Sequence, residues 1–124
     1  MQLIGDFYRE KILSRSDLVP RELPGYCSNE PEIIEDLFGW QLRANREVFE
    51  CRSEAEARYL RVFLELGMRE AYVPTDEKYL KQILPDLEYL KRRADEILDE
   101  HLATVFDQRV KMKVRRDVYA ELAR

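Results

Sequence analysis

Glycine is scarce in this chain. Its four glycines, at positions 5, 25, 39 and 67, stand alone, so no glycine-rich phosphate loop or dinucleotide fingerprint can be assembled. Histidine occurs once, as His101. Neither an HxxxH nor an ExxH pair is present, and any Cys-His chemistry would have to use that one residue. The two cysteines, Cys27 and Cys51, are too few for a disulfide framework and form no CxxC, so a cytoplasmic chain with free thiols is expected. No run of apolar residues approaches the roughly 20 that a membrane helix needs. Asp6, Arg9, Glu10 and Lys11 precede any long apolar run, so no signal peptide is expected. Neither sign of charge dominates: 21 Lys and Arg face 25 Asp and Glu, a net charge of −4. That balance gives no global attraction to nucleic acid or anionic membrane, and any basic surface must be local.

What the chain does have is 45% apolar and 37% charged residues in a length of 124. Those values fit one helix-rich domain with a single core and densely charged solvent faces. The most organised stretch is 38–74. Trp40, Leu42 and Ala44 alternate with Gln41 and Arg43, the period of a half-buried strand. With Asn45-Arg46 as a two-residue turn, Leu42 falls opposite Phe49, Trp40 opposite Cys51 and Gln41 opposite Glu50. The first two pairs share a face, and a one-residue slip would destroy the agreement. Asn suits positive φ, whereas Arg is a poor second turn residue. Ser53 with Glu56 forms a capping box, Ala57, Leu60, Phe63 and Leu64 recur at helical spacing, and Gly67 supplies a stop. A short strand, 70–73, ends at Pro74. This is a strand–helix–strand unit with a right-handed crossover if its strands share a sheet.

The flanks are read as follows. Residues 2–14 form an amphipathic helix with Leu3, Ile4, Phe7, Tyr8 and Ile12 on one side. Its polar face carries both signs of charge, which favours docking on the core or a partner over a membrane surface. Residues 14–28 are irregular, since Pro20, Pro24 and Gly25 exclude a regular helix or central strand. Asn29-Glu30-Pro31 begins a short helix whose apolar side is Ile33, Ile34, Leu37 and Phe38, ended by Gly39. Its carboxylates Glu30, Glu32, Glu35 and Asp36 are a solvated acidic face rather than a metal site. Thr75 or Asp76 caps a further helix, which Pro85 either kinks or restarts. From Ile83, the residues Leu87, Leu90, Ala94, Ile97, His101 and Thr104 follow heptad steps, with Lys91, Arg92 and Arg93 on the outer face. Helical spacing continues through Phe106, Val110, Val114, Val118 and Leu122.

Three constellations bear on chemistry. His101 falls in the apolar seam, and helix geometry turns Asp95, Glu96 and Asp99 away from it. Cys51 is expected to face the core behind Trp40, where a thiol is inert. Arg109, Lys113 and Arg116 share a stripe that could track phosphates, although cations are also favoured near a helix C-terminus. A small enzyme would place its site under the 14–28 loop, with Asp17, Glu22, Tyr26 or Cys27 as candidates, but no pair of these has a spacing that known chemistry requires.

The expectation is therefore an α+β domain over 1–124. N-terminal helices and a Pro-rich loop occupy 1–38, a hairpin and βαβ unit with about three strands occupy 39–74, and a long helical region occupies 75–124. The functional expectation leans away from an enzyme, with no catalytic residue, metal or cofactor. It is a self-associating, dimeric interaction module using Leu90, Ile97, His101, Val110, Val114 and Val118, because a small sheet covers only part of so broad an apolar stripe. The alternative is an accessory nucleic-acid binder using Arg109, Lys113 and Arg116.

Overall fold

The computed structural model describes residues 4–25, 30–37 and 39–102. Its elements in chain order are α1 (Ile4–Lys11), β1 (Leu18–Glu22), β2 (Glu32–Asp36), β3 (Gly39–Ala44), β4 (Glu47–Cys51), α2 (Glu54–Glu65), β5 (Glu70–Pro74) and α3 (Glu77–Leu102). This is an α+β fold. Its strands form two antiparallel sheets, β1-β5 and β2-β3-β4.

The hairpin has the register the side-chain pattern demands: Trp40 pairs with Cys51, Leu42 with Phe49 and Gln41 with Glu50. Asn45 and Arg46 both have positive φ, 51° and 67°, the signature of a type I′ turn, whose twist matches that of the strands it joins. Leu42 and Ala44 are buried on the inner face. Ser53 caps α2, its Oγ accepting from the Glu56 N–H at 3.2 Å.

The segment expected as a helix from Asn29 to Phe38 is instead strand β2 over its described part. Pro31 and Gly39 resemble helix punctuation, but the β-branched pair Ile33-Ile34 favours a strand. Pairing with β3 sets Glu32 against Arg43 and Ile33 against Leu42, an ion pair position and an apolar pair that a helix would forgo. Gly39, at φ +120°, closes the connection in a conformation other residues rarely adopt. Glu32, Glu35 and Asp36 are exposed on this strand.

A second correction concerns 14–28, which contains β1. The strand accommodates Pro20 because of register. Pro20 lies opposite Tyr72, and the Tyr72 N–H and C=O point away from β1, toward the Tyr8 hydroxyl (2.8 Å) and the Tyr59 hydroxyl (2.6 Å). The pair is therefore a non-hydrogen-bonded one, and the Pro20 nitrogen also points outward, where no ladder bond is lost. The outer edge of β5 is closed by those two tyrosines and by Arg52 Nη2, which donates to the Pro74 carbonyl at 2.9 Å. Because β5 pairs with β1, the two strands flanking α2 lie in different sheets, and the order β4-α2-β5 is not a one-sheet crossover.

The core gathers α1, α2, β3, β5 and the first half of α3. Tyr8 and Tyr59 flank Phe63 with ring centroids 5.1 and 4.9 Å apart. Ile12, Leu42, Leu60, Leu80 and Leu87 are fully enclosed around them. Asp76 caps α3 by accepting from the Tyr79 N–H at 3.2 Å. The helix runs unbroken through Pro85. Its buried line is Leu80, Ile83, Leu84, Leu87, Lys91, Ala94 and Leu98. The heptad line through Leu90 and Ile97 drifts off this stripe, because a straight helix has 3.6 residues per turn and a 3.5-residue seam rotates away from it. Leu90 and Ile97 are accordingly half-buried.

Candidate functional site

Three polar assemblies organise the surface around this core. The first is centred on Glu56, which is 2% exposed. Arg21 Nη1 of β1 donates to Glu56 Oε1, and Arg52 Nε, from the β4-α2 link, donates to Oε2. Arg21 Nη2 also donates to the Glu50 carbonyl of β4 at 2.7 Å, and Arg52 Nη1 to the Thr75 carbonyl at 3.1 Å. One carboxylate thus ties both sheets to α2. The capping box places Glu56 correctly, but its side chain serves these arginines; no local pattern points to Arg21, which lies 35 positions away.

The second assembly joins the chain entering β1 to the chain leaving β5. Arg15 grips Asp17 through Nε (2.7 Å) and Nη2 (3.1 Å) and stacks over the Tyr79 ring at 3.8 Å. Asp17 also accepts from the Asp76 N–H at 3.1 Å and the Thr75 hydroxyl at 3.2 Å. The Arg15 guanidinium and these donors hold the Asp17 carboxyl well below the usual carboxylate range. Asp17 is committed to structure by four hydrogen bonds. Glu22 is exposed and lies opposite Glu70 at the end of the β1-β5 ladder. Tyr26 and Cys27 lie outside the described residues.

The third assembly sits where α2 ends against α3. Lys91, expected on the outer face, is 5% exposed. Its Nζ donates to Asp95 at 2.7 Å and to Glu65, the last residue of α2, at 3.3 Å. Burial of a lysine is tolerable only with such partners. The i,i+4 spacing to Asp95 was the one available signal. One turn earlier on α3, Glu88 pairs with Arg58 of α2, Nε to Oε2 at 3.1 Å.

Beyond Lys91 the helix continues to Leu102. Ala94 and Leu98 are buried yet stand outside the main core cluster, Ile97 is half-buried, and Arg92, Arg93, Glu96, Asp99 and Glu100 are exposed. The backbone of His101 belongs to α3. Arg109, Val110, Lys113, Val114, Arg116 and Val118 lie outside the described residues. Cys51 is half-buried against the core, and burial, aided by the Glu56 charge, pushes its thiol up to about 11. A thiol so raised is almost wholly protonated at neutral pH and a weak nucleophile.

Among the described residues, no group of three or more His, Cys, Asp or Glu is arranged to hold a metal ion, and no helix is long and apolar enough to cross a membrane. No protein-family model, curated protein or solved structure matches this chain.

Proposed function

We propose that this chain is a non-catalytic protein–protein interaction module that self-associates, as a dimer, through its helical C-terminal region. The observation that supports this reading is the length of α3 relative to what it packs on. Its 26 residues make a rod of about 39 Å, whereas the 12 residues of α2 make about 18 Å. Leu90 is the last α3 residue packed against the main core, and Glu65 ends α2 at the level of Lys91. Residues 91–100 continue the amphipathic stripe for roughly 15 Å past that point, with Ala94 and Leu98 buried within the chain and Ile97 half-buried beside exposed Arg93 and Glu96. A helix that runs past the end of α2 with a half-buried apolar flank at Leu90 and Ile97 between charged faces suits packing against a second copy, in which each flank meets its symmetry mate.

The test is a dilution series followed by light scattering. Ile97→Glu places a carboxylate on the half-buried flank of the stripe without entering the core. The expected result is a concentration-dependent dimer for the native chain and a monomer for the variant, with unchanged helix content. A native chain that stays monomeric at high concentration overturns the proposal. The alternative, nucleic-acid contact through Arg109, Lys113 and Arg116, rests on the sequence stripe alone.

A further inference from the structure

β2 is an outer strand of the sheet β2-β3-β4, and among the described residues no strand pairs with its second edge. Such an edge presents a row of backbone N–H and C=O groups that can take a further strand. Charge decides which strand fits. Glu32, Glu35 and Asp36 are exposed carboxylates, β2 carries no basic residue, and Arg43, opposite Glu32, is the one cation on β3. Two copies of β2 paired about Ile34 would set Glu32 against Asp36 at both ends, and like charges directly opposite one another are destabilising. The edge therefore rejects its own copy and favours a basic strand.

The chain itself contains such a sequence. Positions 109–115, outside the described residues, read Arg-Val-Lys-Met-Lys-Val-Arg. Four cations alternate strictly with three apolar residues, the period of a strand with one charged and one apolar face. Val110 and Val114 would share a face on a helix or on a strand. Arg109, Lys111, Lys113 and Arg115 share one only on a strand. We propose that 109–115 of one copy adds to the free edge of β2 in a second copy, antiparallel to it, as every other strand pair of the molecule is. Lys111 then opposes Asp36 and Arg115 opposes Glu32, matching two pairs of charges spaced four residues apart. Val114 opposes Ile33, which is half-buried and packed against the core, so the apolar face is extended on the same side. Exchange between copies follows from the reach of α3. Trp40, opposite Glu35 in the sheet, shares a cleft wall with Lys81 and Pro85. The 17 residues from Pro85 to Leu102 carry the chain about 26 Å away from that end of β2. A return to the same copy would need 103–110 drawn nearly straight, at about 3.4 Å per residue.

This inference rests on the self-association proposed above and names the contact made by the chain that follows α3. Its test is sedimentation of two full-length double variants, one Lys111→Glu with Arg115→Glu, the other Glu32→Lys with Asp36→Lys. Each alone is expected to dimerise about ten-fold more weakly than the native chain, since ion pairs at two symmetric edges are lost together. An equimolar mixture is expected to recover native affinity, because each segment then meets an edge of opposite charge. Amide exchange across β2 in the native chain should slow as concentration rises through the dimer range. Native affinity in either variant, or a mixture no tighter than its components, overturns this inference and leaves self-association standing. A native chain that is monomeric throughout overturns both. Should the β2 variant lose its urea midpoint, the exchange measurement decides: β2 amides that exchange equally fast in monomer and dimer overturn the inference.

Discussion

Arg21 of β1 and Glu56 of α2 meet at 2.5 Å, and that contact couples two sheets that share no strand. Arg21 also holds the edge carbonyl of Glu50 on β4, so one side chain bridges a strand from each sheet. Removing the Glu56 carboxylate leaves two guanidinium groups over a buried position. Because Arg21 and Arg52 are 27% and 44% exposed, water compensates part of the loss. Glu56→Gln is expected to cost about 2 kcal/mol in urea denaturation. A double-mutant cycle with Arg21→Ala should show non-additivity; strictly additive losses would mean the contact carries no coupling.

Pro20 serves the β1 edge. Its nitrogen points outward in a non-hydrogen-bonded pair with Tyr72, so Pro20→Thr should change stability by less than about 1 kcal/mol. Val19→Pro, one residue away in a hydrogen-bonded pair with Val73, should cost about 3 kcal/mol. Equal effects of the two substitutions, measured by chemical denaturation, would contradict this register. Restoring an outward donor at position 20 should also raise aggregation on heating, because the edge regains a pairing group.

Arg46 occupies a left-handed conformation at φ 67° in the second turn position, where glycine carries no steric penalty. Arg46→Gly is expected to stabilise the hairpin by about 0.5–1 kcal/mol, after the greater unfolded-state freedom of glycine is set against the relieved strain. Thermal unfolding would show this as a higher midpoint; a lower midpoint would rule out the type I′ geometry.

The Asp17 carboxyl is depressed by Arg15 and its other donors, which fixes the sign of its pH dependence. A lowered folded value means that the contribution is full above the unfolded value near 3.9 and fades as pH falls through the folded one. Urea midpoints should thus decline below about pH 5, and the decline should be shallower in Asp17→Asn. An identical pH profile in the variant would remove Asp17 from the account.

How much of this was legible in the residues follows a physical divide. The hairpin was legible to the level of register, because Trp40, Leu42 and Phe49 encode a face and Asn45 encodes a turn within a dozen positions. The cap at Ser53 was legible for the same reason, since its partners are local. β2 was not: Pro31, the acidic turn and Gly39 imitate helix punctuation, and only pairing with β3 decides the matter. β1 was hidden by Pro20, whose tolerance depends on which way its nitrogen faces once β5 is alongside. Glu56 and Lys91 show the same limit at the level of sites. Both look like solvent-face charges locally, and both are buried by partners supplied through tertiary packing, Arg21 in one case and Glu65 in the other. The Asp17 candidate was found by position, but its hydrogen bonds assign it to the β1-α3 joint.

The central claim, self-association through the helical C-terminal region, is tested most directly by sedimentation of the full chain beside one truncated after Phe106, each alone and with short duplex DNA. The account predicts a dimer for the full chain, a monomer for the truncated one, and no shift of either with DNA. A full chain that sediments as a monomer, or a dimer that survives the truncation intact, would contradict it.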